Sequence, residues 1–234
     1  MCICLKIFYS LSANASKYVI IKLGDIMYRI QCDSYSEIEI KKSRFLTYLH
    51  RCEKEDDAKA YITTIKKQHP NATHHCYAFI IGAQNEIQRS NDDGEPAGTA
   101  GVPMLECLNR QQMQDIVAVT VRYFGGIKLG AGGLIRAYSG SVANALHQAV
   151  LTQKQQMQKC TCTFSYEFIG KIDHLLRSEQ ILVLEKDYQE QVTYTLLCKT
   201  IPRDALSQLS GGQIEPILIG EEFIDVPISD PNPS

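Results

Sequence analysis

The chain has 234 residues, 44% hydrophobic and 21% charged, which is the composition of an ordinary globular protein with room for one or two domains. No apolar run reaches the roughly 18–20 residues of a membrane-spanning helix, so no membrane partner is expected. The formal charge of −2 is uneven: residues 1–153 carry 17 basic and 14 acidic side chains, a net of +3, and the remainder carries 7 and 12, a net of −5, so a polyanion would favour the first part.

The first 26 residues fit poorly with the rest of the chain. "MCICLKIFYSLSANAS" has an apolar stretch broken by Lys6 and lacks the positive start of a signal peptide. "KLGDIM" ends at Met27, and Gly24-Asp25 can be encoded as a bacterial ribosome-binding sequence. For a bacterial source this predicts a start at Met27, with residues 1–26 a leader or upstream mis-start.

"SEIEIKKSRFLTYLHRC" predicts strands at 37–40 and 45–50 around a basic turn. "EKEDDAKAYITTIKKQHP" predicts a helix, with acids in its first turn, lysines in its last, and Ala58, Tyr61, Ile62 and Ile65 on one face. "HHCYAFIIGAQNEIQRS" reads as a hairpin turning near Gln84-Asn85. The loop "NDDGEPAGTAGVP" leads to a short helix over 103–110, which Pro103 suits as a first-turn residue. A buried strand over 115–123 delivers the chain to "RYFGGIKLGAGGLIRAYS", and a helix comes next over 132–150. The polar segment 151–159 is the expected linker. Beyond it the order strand, helix, strand, strand, helix, strand over 160–226 is the ferredoxin-like βαββαβ arrangement, and the tail "SDPNPS" is expected to be disordered. The fold class is therefore α+β in two domains, 27–150 and 160–228.

The nine cysteines are odd in number, contain no CxxC pair and have no framework spacing, which predicts reduced thiols in a cytoplasmic protein. Cys160 and Cys162 share a strand face, but two ligands do not make a zinc site, so no metal is expected. His74 and Cys76 also share a face. A nucleophile–base pair is conceivable there, but no orienting third group is apparent.

The glycine stretch has the geometry of an anion site: a strand, a glycine loop, then a helix opening with unpaired N–H groups. Arg122, Lys128 and Arg136 would join Gly130, Gly132 and Gly133 around it. Neither the P-loop nor the GxGxxG fingerprint fits, because Ala131-Gly132 comes after Gly130 and Ile135 takes the last glycine position. A tight turn remains the other reading. Asp92, Asp93 and Glu95 could serve acid–base work or solubility, and the turn "KKSR" could hold phosphate or be a solvated hairpin end.

"KKSRF", "ATHHCYAF", "DDGEPAGTAGVP" and "VRYFGGIKLGAGGLIRAY" occur in an order and spacing that resemble the YigZ/IMPACT family over residues 36–150. The resemblance implies an N-terminal domain like a small-subunit ribosomal protein and domain IV of elongation factor G, with a C-terminal domain similar to that factor's domain V. It implies a ribosome- or RNA-associated regulator of translation. The family's eukaryotic kinase-regulating role is not carried over, because the partner-binding domain that accompanies it is missing here. The motif positions carried over are Lys42, Arg44, His74, Asp93, Glu95, Arg122, Lys128 and Arg136, with no catalytic residue and no cofactor. The alternative is an enzyme acting on a phosphorylated small molecule or nucleotide.

Overall fold

A computed structural model describes residues 27–228. The expected leader (1–26) and tail (229–234) lie outside the described residues. The chain is α+β and divides into two compact units, residues 27–153 with 225–228, and residues 154–224.

The first unit is built on an antiparallel sheet of β2 (Ser34–Ile40), β3 (Ser43–Arg51), β4 (His74–Ile81), β5 (Ile87–Asn91) and β6 (Ile116–Tyr123), in the order β2-β3-β6-β4-β5. Side chains alternate across each strand, so the central strands feed two cores. Leu46, Phe79, Val117, Val119 and Val121 face helix α1 (Glu55–Gln68), which buries Ala58, Ile62 and Ile65 against them. Phe45, Leu49, Cys76, Ala78, Ile116 and Ala118 face the other way, toward α2 (Gly101–Arg110) and α3 (Ala131–Gln148). The charges of α1 match its dipole, with Glu55, Asp56 and Asp57 first and Lys66 and Lys67 last.

A short strand β1 (Tyr28–Ile30), which the sequence pattern did not suggest, pairs antiparallel with the start of β7 (Leu151–Phe164). The segment 151–159 is therefore strand and not linker. Its glutamines and lysines read as loop, but Leu151, Thr152 and Met157 are buried while Lys154 and Gln156 face out, and pairing supplies the backbone partners.

In the second unit β7 continues into a 3-10 turn (Tyr166–Phe168), then α4 (Ile169–Ser178), β8 (Leu182–Tyr188), β9 (Val192–Cys198), α5 (Arg203–Ser210) and β10 (Ile217–Pro227). Strand order is β10-β7-β9-β8. Cys160, Cys162, Tyr194, Leu196 and Cys198 pack with Phe168, Ile172 and Leu176 and with Leu206. Residues 225–228 group with the first unit instead of closing the second. Asp225 pairs with Arg51 at 2.7 Å and Arg29 at 3.4 Å, and the Ile228 amide donates to the Leu151 carbonyl.

Candidate functional site

The ends of β4 and β6, the loop before α2 and the glycine loop before α3 meet on the α2/α3 side of the first sheet. Strand register places His74 and Phe45 on either side of Arg122, so all three side chains share that face. Arg44 pairs with Tyr123 one position on, which puts both on the opposite face. There Arg44 binds Glu37 at 2.6 Å and lies over the Tyr123 ring, whose hydroxyl bonds to His69.

The loop 92–100 is held by its acids. Asp92 accepts from the Gly98 amide through one oxygen and from the Ala100 and Gly101 amides through the other, capping α2 from a distance. Asp93, in a left-handed conformation, binds Lys66 at 2.8 Å and the His75 amide at 2.7 Å. Burial alone would raise its carboxyl, but Lys66 and the amide outweigh burial and hold it below the ordinary range. Both aspartates thus have structural partners.

Glu95 turns inward, its side chain 3% exposed. One oxygen accepts from Arg122 at 2.5 Å and from the Tyr138 hydroxyl at 2.8 Å, and His74 Nε2 lies 3.8 Å from it. Arg122, 6% exposed, also reaches Ser43 and stacks its guanidinium on Phe45 and Phe124. It is a buried partner in an ion pair with Glu95.

His74 donates from Nδ1 to the Asp93 carbonyl, because a carbonyl can only accept, and this leaves Nε2 as the ring nitrogen facing Glu95 and the cleft. Cys76 is no nucleophile for it. Burial pushes the Cys76 thiol up to about 12, and the thiol donates to the Asp92 carbonyl. Tyr138 is pushed up as well, by burial and then by Cys76 and Glu95.

Of these groups, His74, Glu95 and Arg122 line a cleft of about 420 Å³ together with Thr73, Pro96, Phe124, Lys128, Leu129 and the start of α3 from Gly130. Lys128 makes no hydrogen bond or ion pair among the described residues. Gly130 has φ +73° and ψ 165°, and no side chain caps the helix it starts. The glycines do different jobs. Gly125 is a close approach: a Cβ there would stand 2.0 Å from the Lys42 carbonyl, so the loop lies against the "KKSR" turn and donates to Ser43. Gly126 and Gly130 supply positive φ. Gly132 has neither reason. Its φ is not positive, and a Cβ would meet only the Arg136 guanidinium at 3.6 Å, so neither backbone conformation nor packing requires glycine there.

The structure thus gathers His74, Glu95, Arg122, Lys128 and Gly130 at one cleft, with Gly132, Gly133 and Arg136 along the helix it opens on and Lys42 behind Gly125. Arg44 and Asp93 stand apart from its lining. Tyr138 was missed as a site residue because it sits on an apolar helix face; a buried phenol needing a partner was the available signal. Among the described residues, no cluster of three or more His, Cys, Asp or Glu side chains could hold a metal.

Residues 41–146 match the model of the Impact N-terminal domain. The chain is 47% identical over 172 residues to the IMPACT family member YvyE of Bacillus subtilis, spanning 74% of this chain and 79% of that one. The chain belongs to the IMPACT family. The IMPACT family member YigZ of Escherichia coli is 40% identical over 174 residues, covering 74% of this chain and 84% of YigZ. A solved structure described as a hypothetical protein superposes with a TM-score of 0.54 at 35% identity, covering 84% of this chain and 98% of its own. The motif resemblance is therefore a family membership, and the cleft lies within the family domain.

Proposed function

We propose that the protein is a cytoplasmic, RNA- or ribosome-associated regulator of translation that holds phosphate at the N-terminus of α3. The observation that carries this reading is the uncapped first turn of an 18-residue helix opening on a cleft beside an unpartnered lysine. Its N–H groups and partial positive charge favour an anion. Gly132 supports a ligand over a merely tight turn, since packing gives it no other purpose. The translation role rests on the family resemblance, as do the N-terminal likeness to a ribosomal protein and to elongation factor G. The strand order β10-β7-β9-β8 supports a ferredoxin-like second unit. Free thiols at all seven described cysteines support a reducing compartment, and no described helix is long and apolar enough to cross a membrane.

The alternative, an enzyme acting on a phosphorylated small molecule, has in its favour a cleft of small-molecule size that His74 and Glu95 line together. Affinity for single-stranded RNA against salt separates the two. Each phosphate contact adds about −0.7 to the slope of log K against log salt, so Lys128→Gln should flatten the slope by about 0.7. Arg122 is left intact because its charge is internal. Flat salt dependence with saturable, magnesium-dependent nucleotide binding would favour the enzyme.

A further inference from the structure

Resting on the reading that phosphate sits at the N-terminus of α3, we propose that the cleft is an end-binding pocket: it takes the terminal phosphomonoester of a ribonucleotide chain and not an internal phosphodiester. The first argument is the shape of the charge. A groove that tracks a backbone needs cations in series along it. Here Arg44 is on the far face of the sheet, Arg136 lies outside the cleft lining, and Arg122 is neutralised by Glu95. Lys128 alone brings an unpaired positive charge to the wall, which suits one phosphate.

The second argument is depth. Of the lining residues, Glu95 and Arg122 are 3% and 6% exposed, and Tyr138 donates to Glu95 from behind them, so the cleft backs onto a buried polar network. Arg122 itself is incompletely satisfied, its Nε buried without a partner among the described residues. A volume of about 420 Å³ lies within the range of small-molecule sites. The half-exposed Phe124 ring, with apolar Pro96, Leu129 and Leu134, gives the terminal base a wall.

The third argument is His74. Its Nε2 faces Glu95 and, across the register pair, Arg122; Asp93 meets the ring through its carbonyl, and Lys128 stands in the same cleft lining. A phosphomonoester keeps a proton that leaves with a pKa of about 6. That proton can bridge a phosphate oxygen and Nε2, the ring nitrogen not used by the Asp93 carbonyl. A phosphodiester has no such proton.

The test is fluorescence anisotropy at near-neutral pH with one short RNA sequence carrying a 5′-phosphate, a 3′-phosphate or hydroxyls at both ends, and with a nucleoside monophosphate as competitor. A charge-assisted contact on the terminal group predicts about tenfold tighter binding of one phosphorylated form. The preferred end identifies the source, and the matching monophosphate should compete. His74→Gln and, separately, the exposed Lys128→Gln should erase most of that preference while the melting temperature holds. Equal affinity for phosphate- and hydroxyl-ended RNA overturns the end pocket and leaves RNA association standing. Monophosphate binding with no RNA binding sustains the phosphomonoester pocket and removes the RNA reading. Absence of both overturns each.

Discussion

Glu95→Ala should destabilise the first unit by about 3–5 kcal/mol, because it strips the partner from a buried guanidinium. Among the described residues Arg122 has only Glu95 as a counter-charge, and both side chains are more than nine-tenths buried. The change also leaves the Tyr138 hydroxyl without its acceptor, in surroundings where an unmade hydrogen bond costs about 1–3 kcal/mol. Arg122→Met alone should cost less, since Glu95 keeps its hydrogen bond from Tyr138. Glu95→Gln with Arg122→Met should lose less than the two single changes summed, the sign of a pair and not of two independent residues. Urea unfolding at neutral pH reads all of these. A loss below about 1 kcal/mol for Glu95→Ala would match a solvent-exposed pair and contradict the buried network.

Gly125→Ala should be the most damaging glycine substitution in the loop. Its Cβ would lie 2.0 Å from Lys42 backbone carbon and oxygen and 2.5 Å from the Ser43 nitrogen, so a hairpin turn must move rather than a flexible side chain. Overpacking of this kind costs about 1–3 kcal/mol or more, and displacement also breaks the Gly125–Ser43 hydrogen bond. Gly130→Ala meets open space and carries only the strain of its backbone conformation, about 1–3 kcal/mol. Gly132→Ala should stabilise α3 by up to about 1 kcal/mol, as alanine does in place of glycine in a helix. Thermal unfolding should therefore rank the variants Gly132→Ala above Gly130→Ala above Gly125→Ala. If Gly132→Ala proved as damaging as Gly125→Ala, the separation of turn glycines from the open helix start would fail.

Much of the fold could be read because local signals agreed with the tertiary ones. The acids and lysines at the ends of α1, the Asn85 turn and the apolar face of α3 each predicted their element. The first part of β7, residues 151–159, was lost because its exposed face is glutamine and lysine, so a loop and a half-buried strand looked alike until the pairing was known. The site was only half legible. Glycine spacing found the helix start, but "VAVTVR" is nearly apolar on both faces and gives no sign that Arg122 points inward. Its partner lies 27 residues earlier, beyond the reach of any periodicity. Arg44 and Arg122 looked alike in sequence, and only the register sent them to opposite faces.

The central claim is that an anion is held by the start of α3, and backbone amide shifts on titration with single-stranded RNA test it most directly. The account predicts saturable shifts at Gly130, Ala131, Gly132 and Gly133 and at Lys128, with the Arg44–Tyr123 face of the sheet quiet, and loss of those shifts as salt is raised. Saturable RNA binding that leaves the amides of 130–133 unmoved and shifts residues elsewhere would contradict it.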